Sequence, residues 1–129
     1  MKIFLEPTFS GDDLGDGGVR RVVEAQRKHL PGLGVEFVTS IEEAELVHSH
    51  ITPEKSTTLP YLVKHPEIPL VVQSHGLYWL EYEWLNWALK ANADCMEAIR
   101  LADYVIAPSE WVAQSIRRNS LRPCSPIYH

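Results

Sequence analysis

The sequence predicts a three-layer α/β domain, a parallel sheet of five or six strands with helices on both faces. Three observations lead there. Short β-rich runs alternate with helical segments along the chain, the pattern of strands joined by helical crossovers. One of these runs, Pro69 to Ser74 (PLVVQS), is apolar enough to be a central strand covered on both sides. The length, 129 residues, suits one domain with one core, and no repeat, low-complexity tract or long linker divides it.

The elements follow in order. Lys2 to Glu6 reads as the first strand, and a Gly- and Asp-rich loop from Ser10 to Gly18 comes after it. A helix from Gly18 to Leu30 places Val19, Val22, Val23 and Leu30 on its core side, and Pro31-Gly32 with Gly34 stops it. Val35 to Thr39 is the second strand and Glu45 to His50 the third. Ser56 to Lys64 is a short helix ending at His65-Pro66, because a residue before proline avoids the α region. After the fourth strand, Tyr78 to Leu101 is helical, with a break expected around Asn92. Tyr104 to Ala107 is the fifth strand, and Ser109 caps a helix that packs through Trp111, Val112 and Ile116. Ser125 to His129 begins another strand, so the chain reads as one domain, residues 1–129, of something longer. Right-handed crossovers give an expected strand order of 3-2-1-4-5.

Composition narrows the function. A net charge of −5 argues against a nucleic-acid partner, since phosphate neutralisation needs clustered Lys and Arg. Cys95 and Cys124 lack CxxC spacing and read as free thiols of a reducing compartment. No apolar run approaches the roughly 18 residues of a membrane span. The amino terminus, MKIFLEPTF, makes a poor signal peptide because Glu6 and Pro7 interrupt it. The expectation is a cytoplasmic protein.

In an open parallel sheet, ligands bind outside the carboxyl ends of the strands. That rule selects Gly17-Gly18 after the first strand, His50 at the end of the third, His75-Gly76 after the fourth, and Ser109-Glu110 after the fifth. Glycines opening a helix let the backbone approach an anion, and the first helical amides favour negative charge. Arg20 and Arg21 oppose the helix dipole in that first turn, which an anionic ligand would justify; a flexible turn with solvated arginines is the alternative. The dinucleotide fingerprint is absent, because Arg20 stands where its third glycine belongs. His48, His50 and His75 lack the tight spacing of a zinc site, so no metal is expected. His48 suits a hydrogen-bonded core histidine, whereas His75 beside Gly76 suits a site facing the crevice. The aromatic stretch YWLEYEWLNWAL, from Tyr78 to Leu89, fits core packing, a sugar-stacking platform, a partner contact or weak peripheral membrane contact.

These residues resemble a known family. GDGGVRRVVEAQRKHLPGLGVEFV, ELVHSH, PLVVQSHG and EAIRLADYVIAPSEWVAQSI, in that order, are similar to the amino-terminal domain of the glycogen-synthase-like, retaining glycosyltransferases of family four. The resemblance implies a Rossmann-like domain that is half of a GT-B fold. It implies transfer of a sugar from a nucleotide-sugar co-substrate to an acceptor, with retention and no bound cofactor. The Gly17-Gly18 loop would approach the donor diphosphate, with Arg20, Arg21 and Gly76 nearby, and His75 would be the catalytic residue facing the transferred sugar. His50, Tyr78, Trp79, Ser109 and Glu110 are candidates for acceptor contacts. The partner would be a carboxyl-terminal donor-binding domain that is absent from this chain, which alone is expected to be inactive; an uncovered cleft face would also suit a homodimer. A standalone Rossmann-like binding or scaffold module is the alternative, and a small flavodoxin-like binding protein a weaker one.

Overall fold

The computed structural model describes residues 1–9, 17–77 and 86–128. Six strands form one sheet: β1 (Lys2–Glu6), β2 (Glu36–Val38), β3 (Leu46–His50), β4 (Leu70–Gln73), β5 (Tyr104–Ala107) and β6 (Ser125–Pro126). Four helices connect or cover them: α1 (Gly18–His29), α2 (Thr58–Lys64), α3 (Asn86–Leu101) and α4 (Glu110–Ser120). Every strand pairing is parallel, so the expected fold class is present.

The strand order is 2-1-3-4-5-6, which corrects the expected 3-2-1-4-5. The reason is local. β2 is only three residues long, and the short segment after it, with a 3-10 turn at Ile41–Glu43, packs against β1 and delivers β3 to β1's other side. The Glu45 N–H then donates to the Lys2 carbonyl at 2.9 Å, which fixes the register of Ile3 against Leu46. The connection out of β1 therefore runs one way along the sheet, and those out of β3, β4 and β5 run the other. With right-handed crossovers, α1 must cover one face while α2, α3 and α4 cover the opposite one.

Burial follows that division. Ile3 and Leu5 of β1 meet Val23 of α1, with Val19, Phe37 and Leu46 around them. On the other face Val47, Leu70, Val72 and Val105 pack beneath Ile99 of α3 and Ile116 of α4. Arg27 fastens α1 to the sheet, donating to the Leu5 carbonyl at 3.2 Å while its guanidinium lies 5.4 Å from the Phe37 ring centroid.

Two further expectations are corrected. Asn92 does not break its helix, since α3 runs unbroken from Asn86 to Leu101. Alanines flank Asn92, and the Lys90–Asp94 ion pair at 2.7 Å spans it one turn apart, so local propensity and pairing both favour continuation. The final strand stops at Pro126, short of the expected His129; His129 itself lies outside the described residues. Among the described residues no helix is long and apolar enough to cross a membrane.

Ile99 is fully buried where α3 meets the sheet. Ile99→Ala should cost about 2–5 kcal/mol of unfolding free energy, the range for deleting a buried aliphatic side chain. Urea titration should show a lower midpoint with an unchanged slope.

Candidate functional site

Parallel pairing places the carboxyl ends of β1, β3, β4 and β5 along one edge, where α1 and α4 begin. The register sets His48 against Val71 and His50 against Gln73. Side chains alternate along a strand, so His48, His50 and Gln73 share the face covered by α1. They meet Gln26 there. The Gln26 amide nitrogen donates to Gln73 Oε1 at 3.2 Å, and Gln26 Oε1 lies 2.9 Å from His50 Nε2. The other His50 nitrogen, Nδ1, lies 3.0 Å from His75 Nε2. His50 stacks on both neighbouring histidines, with ring centroids 4.9 Å from His48 and 5.3 Å from His75.

This file of rings runs from the interior to the edge. His48 is buried, His50 is only 2% exposed, and His75 is half-buried. Burial pushes His48 down to about 4; a hydrogen bond with Gln73 opposes the shift, and the neighbouring His75 adds to it. His48 is therefore a neutral core residue at ordinary pH; of the hydrogen bonding that its sequence position suggested, its Nε2 finds no partner among the described residues. Gly76 follows His75 at φ +127°, a backbone state that L side chains rarely adopt, so glycine there is a conformational requirement. Ile51, next to His50, has φ 72°, an uncommon and strained state for a β-branched residue.

A second feature lies on the other face of the same edge. With the observed strand order, the sheet reverses its winding between β1 and β3, where such sheets open a crevice. A cavity of about 340 Å³ is lined there by Phe4, Glu6, Pro7, Thr8, Thr52, Glu54 and Thr57. Glu6 is buried, which raises its pKa. It accepts from the Thr58 hydroxyl at 2.8 Å and the Glu54 N–H at 3.2 Å, and both bonds hold the carboxylate form against that rise.

The structure brings some sequence candidates together and separates others. Gly17 and Gly18 are exposed at the start of α1, on the same edge as His75, and no other described residue crowds either Cα atom. Among the described residues no side chain caps that helix end. Arg20 pairs with Glu24 at 2.8 Å and lies 5.9 Å from the Phe9 ring centroid, and Arg21 is exposed. Ser109 caps α4, accepting from the Val112 N–H at 3.3 Å. Glu110 is held by Gln114 and by an ion pair with Arg117. His50 has both ring nitrogens engaged inside the protein. Tyr78 and Trp79 lie outside the described residues. Among the described residues no group of three His, Cys, Asp or Glu side chains could hold a metal ion.

Sequence reasoning missed Gln26, Gln73 and the Glu6 cavity. A signal existed for the two glutamines. Gln26 continues the core stripe of Val19, Val23 and Leu30, and Gln73 ends an apolar strand, so each is a polar residue in a buried pattern.

A doubly wound parallel sheet with helices on both faces defines a Rossmann-like domain, and the polar histidine file stands at its carboxyl edge. The sequence model of Glycosyltransferase Family 4 matches residues 38–128, well over half of the chain, and the chain belongs to that family. Comparison with curated proteins found no match. Comparison with solved structures found none either. The matched span contains His48, His50, Gln73 and His75; Gly17, Gly18 and Gln26 precede it.

The buried His48 makes stability pH-dependent. Above its ordinary value of 6.5 the imidazole is neutral in both folded and unfolded chains. As pH falls from there toward about 4, the unfolded chain takes up a proton that the folded chain refuses, and stability drops. The loss should reach roughly 2 kcal/mol by pH 5. The raised pKa of Glu6 acts in the opposite direction, because the folded chain binds that proton first as pH falls. Urea unfolding at pH 7 and pH 5 should therefore show a smaller pH effect in His48→Asn than in the parent.

Proposed function

We propose that this chain is the acceptor-side domain of a retaining glycosyltransferase that uses a nucleotide-sugar donor. In this reading it works opposite a second domain that holds the nucleotide. The carrying observation is His75: a half-buried imidazole at the carboxyl edge, beside a glycine of positive φ, held from behind by His50 at 3.0 Å. Membership of a glycosyltransferase family gives that edge its chemistry.

Transfer breaks the bond between the anomeric carbon and the diphosphate oxygen and forms one to the acceptor oxygen, whose proton passes to the departing diphosphate. Negative charge develops on the departing diphosphate. The first amides of α1, with Gly17, Gly18, Arg20 and Arg21, favour charge of that sign. His75 offers the transferred sugar a directional hydrogen-bonding group whose position is fixed before the sugar arrives. Ser109, Glu110 and the cavity beside Glu6 and Thr52 line the same edge and suit a hydroxyl-bearing acceptor.

In the full-length enzyme carrying this domain, His75→Ala should lower turnover by about one to three orders of magnitude with little change in melting temperature. Release of nucleoside diphosphate from UDP-glucose and GDP-mannose, with and without acceptor, is the measurement. Full activity in the variant would end the assignment. The chain by itself should bind those donors no more tightly than about millimolar, equivalent to about 4 kcal/mol, because one face of the donor stays in water. Calorimetry reads this directly, and micromolar binding would mean that the domain is complete alone.

A further inference from the structure

We propose that Gln26 and His50 are positioning residues that hold the His75 ring in one orientation with its proton on Nε2. The proposal rests on the reading of His75 as a site residue and adds the residues that set its state.

The direction of the chain of hydrogen bonds can be followed atom by atom. Gln26 spends its amide N–H on Gln73 Oε1, so the end it turns toward His50 is an acceptor. His50 Nε2 must then carry a hydrogen. His50 is 2% exposed, and burial of that degree disfavours a charged ring. A neutral imidazole has one donor and one acceptor, so His50 Nδ1 presents a lone pair. Across 3.0 Å, His75 Nε2 is the donor to it. In the neutral His75 ring the lone pair therefore sits on Nδ1, and a proton gained by the ring goes to that atom.

Placing polar groups here is costly unless they are used. Gln26 occupies a core position of α1, and Gln73 is 1% exposed at the end of β4. A fully buried amide needs partners, and Gln73 finds one in the half-buried Gln26, whose oxygen meets His50 in turn. Three separate elements, α1, β3 and β4, thus contribute to fixing one ring at the sheet edge. A carboxylate holds a catalytic imidazole in its working tautomer by the same logic, and here an amide oxygen does so one ring removed.

Two-bond proton–nitrogen correlation spectra of the 15N-labelled chain at pH 8 test the proposal without any substitution, with His50→Asn and His75→Asn used for assignment. Both His50 and His75 should show the neutral tautomer protonated at Nε2. A proton on Nδ1 of either ring would reverse the file and overturn the proposal. Gln26→Leu should leave both rings as tautomer mixtures. In the full-length enzyme it should lower kcat roughly tenfold, the scale of an outer partner that orients an imidazole. Donor KM should stay within about twofold, because the lost interaction matters in the transition state. Gln26→Glu keeps an acceptor facing His50 and should recover most of that loss. Unchanged kcat in Gln26→Leu, or failure of Gln26→Glu to recover, would sink the positioning role. If His75→Ala were fully active while the spectra matched, the site reading would fail and the file would stand as structure alone.

Discussion

A buried imidazole has two nitrogens to satisfy, and His50 satisfies them on opposite sides, with Gln26 from the helix covering it and His75 from the loop beyond the neighbouring strand. Much of the polar arrangement at the domain's carboxyl edge depends on that one requirement. It ties α1 to the centre of the sheet through a polar contact amid apolar packing. It joins β3 to the segment after β4 beyond the point where ladder hydrogen bonds end. A hydrophobic residue at position 50 would remove the contact between His50 Nδ1 and His75 Nε2.

The parallel sheet makes such a contact possible. Equal strand direction gathers every strand terminus on one edge, and the short β2 places the change of winding between β1 and β3. Polar residues cluster at those termini, where the ladder ends and the backbone turns to loop: Glu6, His50, Gln73 and Ser74 are all nearly or wholly buried. The two faces are used differently. The α1 face carries the aligned rings, and the opposite face carries a carboxyl group among threonine hydroxyls.

The fold was legible in the sequence because its signals are local. Alternation of apolar runs with periodic segments, Pro31-Gly32 after the first helix and Ser109 before the last all act within a few residues. Strand order was not legible, because the Thr39–Glu45 connection carries no mark of the strand it crosses. The continuity of α3 through Asn92 depended partly on a pair four residues apart, Lys90 with Asp94. At the site, His75 could be chosen from its neighbour Gly76 and its place after a strand. The contact that holds it could not, since it requires the register of His50 against Gln73 and the seating of α1. Gln26 precedes the residues matched by the family and would be overlooked by any reading confined to that span.

Lys55 joins the loop after β3 to α3 through Asp94 and Glu97, each at 2.8 Å. That loop supplies Thr52, Glu54 and Thr57 to the cavity beside Glu6. The link is solvent-facing and ionic, so its strength follows the surrounding electrolyte, whose screening length shrinks to about 3 Å at 1 M salt. His48 and His50 are buried, and their contacts have little to lose to screening. Ionic strength can thus act on one half of the edge and spare the other, a separation that neither heating nor acid provides.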